Sequence, residues 1–229
     1  MSASQRPIAV FDLDGTLADT APDLVGALNA VLGSEGLPAL PFEKARDLIG
    51  AGARALLQRG LSEAGHPPAE PERMEKLFTA FVAYYSDHLN DHSALFPGVP
   101  EALDRLADEG WILAVCTNKF ETQSLRLLDL LGIGNRFAAI CGRDTFPHSK
   151  PDPRHLTLTI DRAGGFAQRA VMIGDSGTDI STARAAGIPV VAVPFGYSDI
   201  PVAELAPDRL IHHYDQLHEA VTGLVRQIA

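Results

Sequence analysis

The sequence contains little cysteine and no long hydrophobic run. Its two cysteines, Cys116 and Cys141, each end an apolar run, which favours buried, reduced thiols over a disulfide or a redox pair. The longest apolar stretch, residues 188–195, is far shorter than the roughly 18 residues that a membrane helix needs. Residues 1–10 contain no long apolar signal segment. We therefore expect a cytoplasmic protein that does not act at a membrane.

Positive charge is also scarce. Lysine and arginine number 19 against 29 aspartate and glutamate residues, so the formal net charge is −10. Such a chain offers no basic stripe for the backbone of a nucleic acid, and we expect no nucleic-acid partner. An anionic substrate would need cations gathered at one place in the fold.

Apolar runs and helical patterns alternate along much of the chain. The apolar runs, which predict buried strands, lie at residues 8–13, 111–116, 137–141, 170–173 and 188–193. Helical patterns at residues 121–131 and 153–163 lie between the later runs, and each is followed by a glycine. The alternation predicts an α/β fold with a doubly wound, mostly parallel, Rossmann-like sheet.

The alternation is interrupted after the first strand. Residues 20–92 show only helical patterns. A first helix is predicted to begin after Thr20 and to end near Gly33, and further helices are predicted at residues 43–49, 53–64 and 72–90. At roughly 150 residues per domain, a chain of 229 residues fits one domain with a sizeable insertion. We therefore expect a core of residues 1–18 and 93–229 and a helical insertion of residues 19–92.

Carboxylates follow two of the predicted strands. Asp12 and Asp14 follow the first, Asp175 and Asp179 follow the fourth, and Lys150 lies in the loop after the third. Ligands of open α/β sheets bind beyond the carboxyl ends of the strands, so these residues are expected to meet. Packed carboxylates repel one another unless a cation lies among them, and one lysine cannot offset four of them. Hard oxygen donors of this kind favour Mg²⁺ over zinc.

Four short segments carry a family resemblance. DLDGT at 12–16, TNK at 117–119, KPDP at 150–153 and GDSGTD at 174–179 resemble, in order and context, the four motifs of the haloacid dehalogenase superfamily phosphatases. The helical insertion is similar to the helical cap of that superfamily, so the resemblance covers essentially the whole chain. DLDGTLADTAPDL at 12–24, IGAGARALL at 49–57 and FPGVPEAL at 96–103 look most like the bacterial phosphoglycolate phosphatases within it.

The resemblance implies a Mg²⁺-dependent phosphomonoester hydrolase that acts through an aspartyl phosphate. Asp12 would be the nucleophile, and Asp14 would be the general acid and base. Mg²⁺ would be held by Asp12, by Asp175 and by the backbone carbonyl of Asp14. Asp179 would orient Lys150 or a metal-bound water.

The same resemblance implies how the substrate is held. Thr117 and Lys150 would bind the transferred phosphoryl oxygens, with help from Asn118 and from the amides around Gly15. The expected substrate is a small molecule, 2-phosphoglycolate above all. Arg54 is the candidate for its carboxylate, with Lys44 and Arg46 as substitutes. The oligomeric state, monomer or homodimer, is left open.

Other readings of the same residues remain. A sugar phosphomutase similar to β-phosphoglucomutase, or a phosphatase of another small ester or of pyrophosphate, would carry the same motifs. A dehalogenase fits less well, because its nucleophilic aspartate acts without a second carboxylate such as Asp14. Ser176 lies in a GDSG segment similar to that of trypsin-like proteases, but here the segment ends a parallel strand. His88 and His92 have the spacing of metal ligands, but no third ligand accompanies them.

Overall fold

The computed structural model describes residues 6–50 and 52–228. Ala51, which belongs to the 49–57 segment, lies outside the described residues. The strands are β1 (Ile8–Phe11), β2 (Ala18–Asp19), β3 (Ala94–Leu95), β4 (Ile112–Cys116), β5 (Ala139–Cys141), β6 (Ala170–Gly174), β7 (Val190–Ala192) and β8 (Arg209–Leu210). The helices are α1 (Ala21–Ser34), α2 (Phe42–Arg46), α3 (Ala53–Glu63), α4 (Pro71–Asp87), α5 (Val99–Asp108), α6 (Glu121–Leu130), α7 (Pro153–Arg162), α8 (Gly177–Ala185) and α9 (Leu217–Ile228).

Six strands form one parallel sheet in the order β5-β4-β1-β6-β7-β8, while β2 and β3 form a two-stranded ribbon. β1 lies in the middle, with Phe11 level with Val115 of β4 and with Ile173 of β6. The residues that follow these three strands therefore leave the sheet at the same edge. The backbone amide of Asp12 still donates to the carbonyl of Ile173 at 2.9 Å, which fixes the start of the loop after β1.

Helices cover both faces of the sheet. α7 and α8 pack on the face that carries Ile8, Val10 and Met172, whereas α5 contacts β4 and α9 contacts β6. Strands buried on both faces explain the continuous apolar runs in the sequence. The predicted fold class, a doubly wound and mostly parallel α/β sheet, is confirmed.

Cys116 and Cys141 are level with each other on the neighbouring strands β4 and β5. Both are buried free thiols, as predicted. Burial raises the pKa of Cys116 to about 12 and also raises the pKa of Cys141. Both side chains therefore act as small apolar residues of the core.

The chain divides into two compact units at residues 19/20 and 94/95. The helical unit, residues 20–94, contains α1–α4, and Gly60 of α3 lies against Leu28 of α1. A Cβ on Gly60 would lie 2.5 Å from Leu28 Cδ1, so a larger residue there would require the Leu28 side chain to shift. The core unit contains the sheet. The predicted boundaries, at 18/19 and 92/93, lie one and two residues away, and the assignment of the units as catalytic core and cap stays a prediction.

The described helices include none that combines the length and the apolar character needed to cross a bilayer.

Candidate active site

The loop after β1 turns sharply and holds Asp12 in place. The amide of Leu13 donates to Asp12 Oδ1 at 2.7 Å, and the amide of Gly15 donates to the carbonyl of Ala18 at 2.9 Å. Gly15 has φ +78°, a conformation that favours glycine. The Asp-x-Asp-Gly-Thr sequence thus forms a tight turn at the sheet edge with Asp12 at its start.

Lys150 lies between two of the aspartates. Its ammonium group donates to Asp179 Oδ1 at 2.6 Å and lies 3.0 Å from Asp12 Oδ1. Only 2% of the lysine side chain is exposed. Burial lowers the pKa of Lys150, but Asp12 and Asp179 outweigh it, and the pKa lies above its usual value. Lys150 is therefore a permanently charged group at the centre of the site.

Asp175 is fixed through both of its carboxylate oxygens. The hydroxyl of Thr16 donates to Oδ1 at 2.8 Å, and the amide of Tyr197 donates to Oδ2 at 2.7 Å. A Cβ on Gly15 would lie 2.4 Å from Oδ2, and one on Gly196 would lie 2.2 Å from it. The backbone at Gly15 and at Gly196 thus packs directly against this carboxylate, and a side chain at either position would clash with it.

Asp12, Asp175 and Asp179 form a cluster, called here the carboxylate cluster, whose ligand atoms lie within 4.8 Å of one another. Burial first, and then Asp179 and Asp12, raise the pKa of Asp175 to about 8. Burial also raises the pKa of Asp12 to about 6, although Lys150 opposes the shift. Buried oxygen donors with an excess of negative charge are a chemically suitable set for a hard divalent cation.

Asp14 points to a different lysine. Lys119 Nζ donates to Asp14 Oδ1 at 2.8 Å and to Oδ2 at 3.0 Å. The expectation that Lys150 alone faces the four aspartates is therefore wrong, because β4 delivers a second ammonium group. Four carboxylates and two ammonium groups leave a formal charge of −2 at this edge of the sheet.

The two other predicted phosphoryl-binding residues follow β4. Thr117 is buried, and its hydroxyl oxygen accepts a hydrogen bond from the amide of Lys119 at 3.2 Å. The exposed Asn118 donates from Nδ2 to the carbonyl of Lys150 at 2.9 Å. Asn118 thus holds the backbone of the lysine that contacts Asp12. The structure brings Asp12, Thr117, Asn118, Lys150, Asp175 and Asp179 to the same sheet edge.

A sequence profile described as haloacid dehalogenase-like hydrolase matches residues 9–193. The chain belongs to this hydrolase family. A curated relative from Mesorhizobium japonicum named phosphoglycolate phosphatase is 50% identical, with 93% of each chain covered. Another of that name, from Caulobacter vibrioides, is 47% identical and covers 94% of this chain and 90% of its own length.

A solved structure gives the same result. A crystal structure described as a predicted phosphoglycolate phosphatase from Haemophilus somnus matches with a TM-score of 0.85 and 31% identity, covering 94% of this chain and 98% of that chain. The predicted family resemblance is thereby confirmed, and with it the prediction of a hydrolase. The shared name of the relatives supports a phosphatase within the family.

Asp179 has a further contact that the family motif did not predict. Ser176 donates to Asp179 Oδ2 from its amide at 3.1 Å and from its hydroxyl at 2.6 Å. These contacts form the capping box at the start of α8. Ser176 thus caps a helix, in agreement with its rejection as a nucleophile. Asp179 uses one oxygen for this cap and the other for Lys150.

Four cationic residues of the helical unit form ion pairs within that unit: Lys44, Arg54, Arg73 and Lys76. Arg54 donates to both carboxylate oxygens of Glu75, at 2.6 and 2.9 Å, and its guanidinium carbon lies 3.9 Å from the centre of the Phe78 ring. Lys44 pairs with Glu63. The predicted role of Arg54 toward a substrate carboxylate stays a prediction. His88 pairs with Asp91 at 2.7 Å.

Three residues that contact the site had no assigned role in the sequence. Thr16 and Lys119 lie inside the motifs, so a role for each was predictable from the sequence. Thr16 directly follows the Asp-x-Asp-Gly turn, and Lys119 lies two residues after Thr117. Tyr197 lies five residues beyond β7 and carries no sequence signal. Its hydroxyl donates to Asp19 at 2.5 Å while its amide binds Asp175.

Proposed function

We propose that this chain is a Mg²⁺-dependent phosphomonoester hydrolase with Asp12 as its nucleophile. The observation that carries the proposal is the position of Asp12 at the end of β1, 3.0 Å from the buried ammonium group of Lys150 and inside the carboxylate cluster. A carboxylate can attack phosphorus only if its repulsion from a phosphate dianion is offset, and this site gathers the groups that would do so.

The reaction has two displacements. In the first, an Asp12 oxygen forms a bond to phosphorus, the bond to the ester oxygen breaks, and Asp14, which carries a proton in the substrate complex, gives that proton to the ester oxygen. The product alcohol leaves, and Asp12 carries the phosphoryl group. In the second, Asp14 takes a proton from a water whose oxygen attacks phosphorus. The bond between Asp12 and phosphorus breaks, inorganic phosphate leaves, and Asp12 and Asp14 return to their starting forms.

The remaining residues bind and orient. Lys150 and the Thr117 hydroxyl hold the transferred oxygens, while Asn118 fixes the backbone of Lys150 through the 2.9 Å contact. Asp179 keeps the ammonium group of Lys150 turned toward Asp12. Asp12, Asp175 and the backbone carbonyl of Asp14 would hold a Mg²⁺ ion, which would supply positive charge between the nucleophile and the phosphate.

The proposed substrate is 2-phosphoglycolate, hydrolysed in the cytoplasm. Relatives 50% and 47% identical bear the name phosphoglycolate phosphatase, which supports this substrate. Its carboxylate is the proposed partner of Arg54, which would exchange or share its pairing with Glu75. The site needs no nucleic acid or membrane for this reaction.

The test is phosphate release from 2-phosphoglycolate, pyrophosphate and β-glucose 1-phosphate, each with Mg²⁺ or with excess chelator. We expect the highest kcat/KM for 2-phosphoglycolate and no activity with chelator. Asp12→Asn should lower the rate by at least about 10³-fold while the protein still unfolds cooperatively. The matched substitution Asp215→Asn, at an exposed residue, should leave the rate unchanged. Activity in excess chelator, or a rapid Asp12→Asn variant, would refute the proposal.

A further inference from the structure

We infer that Lys119 is a positioning residue that holds the Asp14 carboxylate in the orientation needed for proton transfer to the leaving group. The inference rests on the proposed function, in which Asp14 is the general acid. The geometry that points to it is the contact of one ammonium group with both oxygens of Asp14, at 2.8 and 3.0 Å.

The backbone of Lys119 is fixed on both sides. Its amide donates to Thr117 Oγ1 at 3.2 Å, and its carbonyl accepts from the amide of Arg143 at 2.9 Å. A Cβ on Gly142 would lie 2.7 Å from that carbonyl oxygen, so the segment after β5 packs directly against it. The backbone of Lys119 is therefore held in place at the sheet edge, and its side chain extends from this fixed position.

The side chain of Lys119 is also well fixed. It is only 4% exposed, whereas the side chain of Asp14 is 24% exposed. The pair joins residues 105 positions apart, one after β1 and the other after β4. A buried lysine thus anchors a partly exposed carboxylate from the neighbouring strand, which leaves Asp14 reachable but limits its rotation.

The anchor also separates two groups of carboxylates. Asp14 lies two residues after Asp12, and a free carboxylate there could turn toward a cation in the carboxylate cluster. Lys119 offers Asp14 a counter-charge of its own, just as Lys150 serves Asp12 and Asp179. Proton transfer needs a carboxyl group within hydrogen-bond reach of the leaving oxygen, so loss of the anchor should impair that step in particular.

Two small substrates of similar size separate this role from others. Ethyl phosphate releases ethoxide, a strong base that must be protonated, whereas acetyl phosphate releases acetate, which is stable near neutral pH. The value of kcat/KM reports the first displacement, in which this proton is needed. A residue that acts through the general acid should therefore matter for ethyl phosphate and little for acetyl phosphate. 2-Phosphoglycolate, which also releases an alkoxide, should behave like ethyl phosphate.

The experiment compares Lys119→Met with Asp14→Asn on these three substrates. General acid catalysis contributes about 10²–10⁴-fold, so Asp14→Asn should lower kcat/KM by such a factor for ethyl phosphate. Lys119→Met should lower it at least about tenfold for ethyl phosphate and 2-phosphoglycolate, and less than about threefold for acetyl phosphate. Lys119→Arg, which keeps the charge, should restore part of the loss. Lys76→Met, at an exposed lysine, is the control and should change none of these values.

The double variant Asp14→Asn/Lys119→Met completes the test. If Lys119 acts through Asp14, adding Lys119→Met to Asp14→Asn should lower kcat/KM no further. The double variant also removes both charges of the Lys119–Asp14 pair, so it remains informative if Lys119→Met alone unfolds.

Three results would overturn the inference. The first is an equal loss of kcat/KM for all three substrates. The second is an extra loss for 2-phosphoglycolate alone, which would make Lys119 a carboxylate-binding residue. The third is full additivity of the two substitutions in the double variant. A wild-type enzyme that hydrolyses none of the esters, or an Asp14→Asn variant without the leaving-group dependence, would instead refute the proposed function.

Discussion

At the scale of single residues, two buried lysines divide four aspartates between them. Lys150 contacts Asp12 and Asp179, and Lys119 contacts Asp14. Asp175 receives no lysine in these pairs; its oxygens accept from the Thr16 hydroxyl and the Tyr197 amide. Burial, and then the charges of Asp179 and Asp12, raise its pKa to about 8. A divalent cation would match the remaining formal charge of −2, and Asp175, which has no lysine partner in these pairs, would gain most from it.

The Thr16 hydroxyl should therefore matter for metal binding. A hydrogen bond to a charged group contributes about 1.5–3 kcal/mol, so Thr16→Val should weaken Mg²⁺ binding by roughly tenfold or more. Titration calorimetry with Mg²⁺ in the absence of substrate measures this directly. Thr182→Val is the matched control, because Thr182 is also a buried threonine of the core unit but donates only within α8. Equal Mg²⁺ affinities for the two variants would show that the Thr16 contact does not support the site.

At the scale of elements, the sequence predicts which strands carry the site. The apolar runs mark β1, β4 and β6, and parallel strands in register bring the residues that follow them to one edge. The two-residue strand β8 has no comparable run and was not predicted. The contacts of Lys119 and Tyr197 were not predictable either, because they join segments that are far apart in the chain and depend on side-chain orientation.

Helix α7 contains a histidine that the fold keeps neutral. His155 is fully buried in the first turn, and its Nε2 lies 3.1 Å from the carbonyl of Gly142, so this nitrogen carries the hydrogen. Nδ1 is buried without a hydrogen-bond partner among the described residues. Burial and then Lys150 lower the pKa of His155 to about 4, against opposing contributions from Gly142 and Asp152. His148 also lowers it.

This histidine should make stability depend on pH. In the unfolded state His155 binds a proton below pH 6.5, whereas in the folded state it binds one only below about pH 4. The free energy of unfolding should therefore fall between pH 7 and pH 5, by about 2 kcal/mol from this residue. His155→Gln should lose that part of the fall, as measured by urea unfolding at both pH values. His212→Gln, at an exposed histidine, should keep the wild-type fall. A His155→Gln variant with the full wild-type fall would contradict this account.

At the scale of the whole molecule, a chain with a net charge of −10 gathers two buried lysines at the sheet edge where the proposed reaction would take place. From composition, an anionic substrate was expected to need such a cluster of cations, and of the two lysines only Lys150 was assigned a role from the motifs. The helical insertion was predictable from its uninterrupted helical patterns. The pairing of Arg54 with Glu75 was not, because it depends on which faces of α3 and α4 meet.

The most direct test of the central claim is to find the phosphoryl group on Asp12. Asp14→Asn should slow the second displacement, and acetyl phosphate needs no proton for the first, so the phosphorylated enzyme should accumulate. After an acid quench, mass spectrometry of peptic fragments should show one phosphoryl group on Asp12, and none there when Asp12→Asn is added. An Asp14→Asn variant that hydrolyses acetyl phosphate without any phosphoryl group on Asp12, or with the group on another residue, would contradict the account.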